Sequence, residues 1–246
     1  MDKISSLSQL QELTRKHTKA RLTHTNFYLM SSECRRLIDA ERLFYIDTPG
    51  TLFILEQRDG FYKLYLRFCT AMSDIQLPQV PLSCHLTYRE KPDDAIVERL
   101  LSLGLHRQHT QHRLAAASIA VKSRHAVTSA TEAEAIALFS EVFSPLSADL
   151  PCRGGFHTLT AVRDDNGVPL GIMHYDNTKT LLLVAVSPEA QRQGVASSLI
   201  AEFARSTMRL PGEYRIWVVE DNDKAFKLYE KLGFSRDGLR SDLYTL

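Results

Sequence analysis

The apolar run TLLLVAV at residues 180–186 constrains the fold more than any other stretch of this 246-residue chain. A strand with one wet face alternates apolar and polar side chains, whereas a run that does not alternate reads as a strand covered on both faces. It is therefore expected at the centre of a sheet. Upstream, FHTLTAVR from Phe156 and VPLGIMHY from Val168 flank Asp164-Asp165-Asn166-Gly167, and Asn-Gly between apolar runs is a strong hairpin signal. A second polar turn, Asp176 to Lys179, leads into the central run. Downstream, Ser187-Pro188 ends the strand and QRQGVA at 191–196 forms a polar loop. Val195, Leu199, Phe203 and Met208 then keep the spacing of an apolar helix face. After Pro211-Gly212 comes a strand, YRIWVVE at 214–220. The next helix has Asp221 or Asn222 as its cap, Ala225, Leu228, Tyr229 and Leu232 on one face, and Gly233 at its end. A last strand is expected over roughly 238–245.

A buried strand feeding a loop of free backbone amides and then a helix N-terminus makes an anion site suited to a phosphate or pyrophosphate. Gly194 lets the backbone approach such an anion closely. Taken alone, one glycine in such a loop is more readily a structural turn. No Gly-Lys-Ser/Thr follows it, which argues against a P-loop NTPase, and the loop is too poor in glycine for a dinucleotide-binding fingerprint.

Two motifs resemble those of the GNAT N-acetyltransferase superfamily. LLLVAVSPEAQRQGVASSLI at 181–200 is similar to the family's central strand, proline turn and Gln/Arg-x-x-Gly-x-Gly/Ala loop, with Gln191, Gly194 and Ala196 at the defining positions. EDNDKAFKLYEKLGF at 220–234 resembles its Asn-x-x-Ala, Leu-Tyr-x-Lys-Leu-Gly-Phe segment. The resemblance covers about residues 125–246 and is strongest from 180 to 234. It implies an N-acyltransferase that uses acetyl-CoA or another short acyl-coenzyme A as co-substrate, without a metal. In the family, central-strand backbone pairs with the pantetheine arm, which places that role on Val184, Ala185 and Val186. The amides of Gln191, Arg192, Gln193, Gly194, Val195 and Ala196 would hold the pyrophosphate, and the Arg192 side chain would add a charged contact. Asn222 inherits a coenzyme A contact, with helix capping as its equal alternative.

Transfer to an amine passes through a tetrahedral intermediate and expels a thiolate, so a nearby proton donor helps the leaving group depart. Tyr229 aligns with the family's general acid; as a bare pattern it is a core aromatic at helical spacing. A protonated amine must also lose a proton before it attacks. Glu220, at a strand end, is the first candidate for the base and His174 the second, although either is also readable as an ordinary solvated or satisfied side chain. The acceptor, expected to be the primary amine of a small molecule or amino acid, would sit against residues 131–155, which name no substrate. The competing expectation is a catalytically quiet acyl-CoA-binding sensor.

The N-terminal half repeats the plan. Aligning Gly104 with Gly233 lays PDDAIVERLLSLGL (92–105) over DNDKAFKLYEKLGF (221–234), each preceded and followed by a strand. At the tyrosine position this copy has Leu100, and its central strand KLYLRF (63–68) is followed too closely by the next strand for a pyrophosphate loop and helix. The expected organisation is α/β (α+β): tandem GNAT-like domains, each a mixed, mostly antiparallel sheet flanked by helices. Residues 1–120 are the degenerate, non-catalytic copy and 126–246 the catalytic one, with the link in AAASIAVKSRHAVTSA at 115–130. An unrelated α/β domain with a chance helix match is the alternative for the first half.

Charge and composition narrow the rest. The halves carry net charges of +5 and −4, an asymmetry suited to docking or to steering an anion. The basic stretch Arg15, Lys16, His17, Lys19 and Arg21 lacks interleaved aromatics, so nucleic acid is not an expected partner. No apolar run is long enough for a membrane span and Met1 to Leu22 is unlike a secretory signal, so a cytoplasmic chain, monomer or homodimer, is expected. Cys34, Cys69, Cys84 and Cys152 form no CxxC pair and read as buried free thiols. His106, His109 and His112 suggest a metal site only until they are placed on a strand, where His109 faces away from the other two.

Overall fold

The computed structural model describes residues 1–18, 23–69, 77–143 and 157–246. The chain packs as two units, Met1–Thr110 with Leu239–Leu246, and Gln111–Gly238.

In the first unit the elements are β1 (Asp2–Lys3), α1 (Leu7–Lys16), β2 (His24–Thr25), α2 (Ser31–Asp39), β3 (Leu43–Thr48), β4 (Thr51–Gln57), β5 (Tyr62–Phe68), β6 (Leu82–Tyr88) and α3 (Asp94–Ser102). The chain then enters β7 (His106–Ala116), whose C-terminal half belongs to the second unit. There follow β8 (Thr128–Ser129), α4 (Glu132–Val142), β9 (His157–Arg163), β10 (Pro169–Asp176), β11 (Thr180–Val186), a 3-10 turn Pro188–Ala190, α5 (Val195–Thr207), β12 (Tyr214–Val219) and α6 (Asp223–Lys231). The last strand, β13 (Ser235–Thr245), starts in the second unit and ends in the first.

The second unit's strands run in the order β7-β12-β11-β10-β9-β8, with β11 and β12 parallel and the remaining pairs antiparallel. The Asp164 carboxylate accepts the amides of Asn166 and Val168, and Gly167 takes a positive φ, which closes the expected β9–β10 hairpin. Met173, Tyr175 and Leu181 face Val195, Leu199 and Phe203 of α5 and Phe226 and Tyr229 of α6. Ile172 and Ala185 instead face Ala135, Leu138 and Phe139 of α4. The central run is thus covered on both sides, as its lack of alternation requires. Helix α4 is fixed by a capping box in which Thr131 and Glu134 satisfy each other's backbone amides. Arg163 of β9 holds Glu134 at 2.6 Å.

In the first unit the order is β1-β3-β4-β5-β6-β13, with only β5 and β6 parallel along this path. Tandem copies of one plan are evident in detail. β5 and β6 share only the pairs Tyr62↔Leu82 and Lys63↔Ser83, and β11 and β12 share only Thr180↔Arg215 and Leu181↔Ile216, so each parallel pair joins at one end. Each copy's closing strand, however, departs from a division at residues 120 and 126. β7, after α3, pairs through Gln111–Ala116 with β12, and β13, after α6, pairs through Arg240–Thr245 with β6. The first unit is therefore discontinuous in sequence. A sequential reading has no means of seeing this, because both strands carry the pattern of either sheet.

No helix among the described residues is long and apolar enough to cross a membrane. Cys34 and Cys84 are buried, and burial pushes their thiols up, to about 11 and about 12. Cys69 is half-buried, and Cys152 lies outside the described residues. His112 is buried and His109 points to the opposite side of β7; no group of ligands suited to a metal occurs among the described residues.

Candidate functional site

The site begins with a fault in the sheet. Along β10 and β11 the register runs Gly171↔Val186, Ile172↔Ala185, Met173↔Val184, His174↔Leu183, and then jumps to Tyr175↔Leu181. Leu182 is the extra residue. A bulge bends its strand and increases local twist, and beyond it β11 has no further pairing with β12. From Leu182 to Val186 one edge of the central strand is left open to an extended ligand, and Val184, Ala185 and Val186 all lie on that stretch.

At the end of the opened strand the chain turns through Pro188–Ala190 and enters α5. Gly194 is the N-cap, with φ of 89°, and Arg192 just before it is also left-handed, with φ of 64°. Two left-handed residues flanking Gln193 turn the chain sharply, so that the first amides of α5, which have no helical partners of their own, face outward. Gly171 sets how near this helix comes to the sheet. A Cβ there would lie 2.6 Å from Val195 Cγ1 and 3.0 Å from the Ala185 carbonyl oxygen, so only glycine permits the contact.

A second segment completes the loop's surroundings. Ser198, fully buried, accepts the backbone amides of Arg124 and His125 at 3.0 and 3.1 Å and donates to the Gly194 carbonyl at 3.1 Å. The His125 ring bonds the Gln193 carbonyl through Nε2 at 2.9 Å. Stretch 122–125, which the sequence marks only as a link, is thereby tied to the glycine loop. Lys122, Arg124, Arg192, Gly194 and Ser197 line a cavity of about 460 Å³. The only sequence signal for Lys122 and Arg124 is two cations and a histidine in a tract of otherwise small and apolar residues.

Asn222 caps α6 by accepting the Ala225 amide at 3.1 Å, while its side-chain NH₂ has no partner among the described residues. Capping and ligand contact, alternatives in the sequence, use different atoms of this side chain and are compatible. Tyr229 is buried on α6 among the core residues, its ring 5.6 Å from that of Phe234. Its hydroxyl makes no hydrogen bond among the described residues, and burial pushes it well above the usual tyrosine range, so it stays protonated at neutral pH.

The candidate bases sit in different surroundings. Glu220 follows β12 and lies 3.0 Å from His112 Nε2, so this carboxylate is half of a pair that the sequence does not reveal. His112 is in turn packed edge-on against Phe226 of α6. His174 is buried, its ring 5.2 Å from that of His157 and its Nδ1 without a hydrogen-bond partner. Burial, followed by the neighbouring His157, holds it down at about 4, so it is neutral at physiological pH. The expected acceptor segment 131–155 is described only as far as Phe143; the remainder lies outside the described residues.

Solved structures share the overall fold of this chain. A GCN5-related N-acetyltransferase from Kribbella flavida aligns over 84% of this chain and 90% of its own, with 14% identity and a TM-score of 0.56. A second, from Sphaerobacter thermophilus, aligns over 88% and 85% at 13% identity with a TM-score of 0.52. A GCN5-related N-acetyltransferase-like protein from Streptococcus suis aligns over 96% and 99% at 11% identity, also with a TM-score of 0.52. At such identities the likeness speaks for the fold. No functionally curated protein matches the sequence. Residues 155–236 match the family model of the acetyltransferase (GNAT) domain, the segment that holds the opened strand, the glycine loop and Tyr229.

Proposed function

We propose that the second unit binds an acyl-coenzyme A, most simply acetyl-CoA, and transfers its acyl group to the primary amine of a small molecule or amino acid. The observation that carries this reading is the open edge of β11 from Leu182 to Val186, running into the outward amides of the Gly194 loop. One element offers unpaired peptide groups to an extended amide-bearing arm, and the next offers backbone donors and cations to phosphates. Val184, Ala185 and Val186 are the residues suited to the arm, and Gln191 to Ala196 to the phosphates. The Asn222 NH₂ is free to add a contact. When bound, the donor supplies an activated thioester, and the chain's own groups must then manage the protons.

Tyr229 is suited to the role of acid because it is protonated at neutral pH and has no competing hydrogen-bond partner among the described residues. The base falls to His174, which is neutral with an unpartnered Nδ1, or to the Glu220–His112 pair. The burial that holds His174 at about 4 also opposes its taking up a proton, which favours the Glu220–His112 pair. The first unit has Leu100 in place of the tyrosine and takes no part in this chemistry.

The test is a screen of amines with acetyl-CoA, reading the free thiol, on the wild type and on Tyr229→Phe. Turnover of an amine that falls about 100-fold in the variant, with donor affinity kept, supports transfer with Tyr229 as acid. Donor binding with no amine acylated would support the sensor reading instead.

A further inference from the structure

The peptide joining Gln193 to Gly194 lies between two left-handed residues, Arg192 with φ of 64° and Gly194 with φ of 89°. A glycine tolerates either orientation of the peptide before it, because no Cβ opposes the change in φ. The loop's own residues therefore do not decide which way this peptide faces. A trans peptide is planar, so its carbonyl and its N–H point in opposite directions, and fixing one fixes the other. One orientation offers an anion the Gly194 amide; the other offers it the Gln193 carbonyl, which repels it.

The His125 ring makes the choice. Its Nε2 lies 2.9 Å from the Gln193 carbonyl oxygen, and since a carbonyl only accepts, Nε2 carries the proton and donates. The Gly194 amide is thereby turned the other way and donates to nothing among the described residues. His125 is in turn held by its backbone: its amide donates to Ser198 Oγ at 3.1 Å and its carbonyl accepts the Ser123 hydroxyl at 2.7 Å. Ser198 also accepts the Arg124 amide at 3.0 Å and donates to the Gly194 carbonyl at 3.1 Å, so its hydroxyl is fully used as donor and acceptor. Val121 before this stretch and Val127 after it pack against the core of the second unit. A segment that served only as a tether would need no such fastening to the glycine loop.

We infer that His125 is a positioning residue of the donor site: by bonding the Gln193 carbonyl it locks the peptide between Gln193 and Gly194 with the Gly194 amide turned to the donor's phosphates. It acts through the loop rather than by contact with the ligand. The inference rests on the donor reading above and adds to it a residue, far from the loop in sequence, that sets the loop's orientation.

The experiment is calorimetric titration of the full chain with acetyl-CoA, using the wild type, His125→Ala, His125→Gln and His125→Asn. Glutamine carries its amide nitrogen as many bonds from the backbone as histidine carries Nε2, whereas asparagine falls one bond short. His125 is half-buried and stands outside the core, so the variants are expected to fold, which their melting temperatures check. Affinity should fall about tenfold in His125→Ala and His125→Asn and return to within about threefold of wild type in His125→Gln. Undiminished affinity in His125→Ala overturns the inference, as does a loss in folded His125→Gln as great as in His125→Ala, since the bond to the carbonyl would then not be what matters. Failure of the wild type to bind acetyl-CoA would instead overturn the donor reading itself.

Discussion

Leu100 and Tyr229 stand at the same place in two copies of one helix ending. The carbonyl of Leu100 accepts the Leu105 amide at 3.0 Å around Gly104, and the carbonyl of Tyr229 accepts the Phe234 amide at 3.0 Å around Gly233, both glycines having positive φ. Each side chain is buried in the core of its own unit. The backbone hydrogen bond is the same in both copies while the side chain is not. Leu100→Ala should therefore cost about 2–5 kcal/mol of stability through the cavity it leaves, with donor affinity unchanged per folded molecule. Tyr229→Phe, which removes one unpaired hydroxyl, should leave the melting temperature within a few degrees of wild type and lower kcat. Urea denaturation of both variants, read beside acetyl-CoA titrations, checks the pair of expectations.

Asn26 bridges the parted strands of the first unit. β5 and β6 separate after Lys63 and Ser83, as β11 and β12 separate after Leu181 and Ile216, but here a side chain bridges the gap. The Asn26 carbonyl oxygen Oδ1 accepts the Leu66 amide at 2.6 Å, and its Nδ2 donates to the His85 carbonyl at 3.1 Å. The neighbouring β2 pairs with the end of β5. Asn26→Ala is expected to destabilise by about 1–3 kcal/mol, since it leaves buried backbone groups unsatisfied, and to have no effect on the number of donor molecules bound. Thermal unfolding with and without acetyl-CoA separates the two effects.

Gly171 tests the approach of helix to strand. A methyl group there meets Val195 Cγ1 at 2.6 Å and a backbone oxygen at 3.0 Å, and the second of these cannot move without shifting β11. Gly171→Ala should lower stability by about 1–3 kcal/mol and, by displacing the first turn of α5, weaken donor binding as well. A variant that melts like wild type would show that the contact is soft.

His174 gives the pH dependence its sign. Its folded value of about 4 lies below the ordinary histidine value of 6.5, so between those pH values the unfolded chain binds the extra proton and stability falls as the solution is acidified. His85, held near 3 chiefly by burial, acts in the same direction in the first unit. His174→Gln should therefore flatten, without abolishing, the decline in melting temperature from pH 6.5 toward pH 4. An unchanged slope would mean that this ring is not the buried group that titrates.

The parts legible in the sequence are those carried by local pattern. The TLLLVAV run, the Asn-Gly turn and the glycine loop each appear where periodicity and turn chemistry place them, because each depends on residues within one or two turns of itself. The Glu220–His112 pair joins positions 108 residues apart and leaves no local trace. Ser198, Arg124 and His125 come together for the same reason only after folding. The exchange of β7 and β13 is hidden because both are long strands with equivalent patterns, and the choice of partner is made by the whole sheet. Leu182 as a bulge is invisible in a run where every residue is apolar.

The central claim is that one donor site exists, at the Gly194 loop of the second unit. Gly194 has φ of 89°, where a branched side chain is strained, and a Cβ there would come within 3.2 Å of Arg124 Cδ. Calorimetric titration of the wild type and of Gly194→Val with acetyl-CoA measures both number and place. The account predicts one molecule bound per chain in the wild type and affinity reduced beyond detection in a folded Gly194→Val. Two molecules per chain, or undiminished binding in the variant, would contradict it.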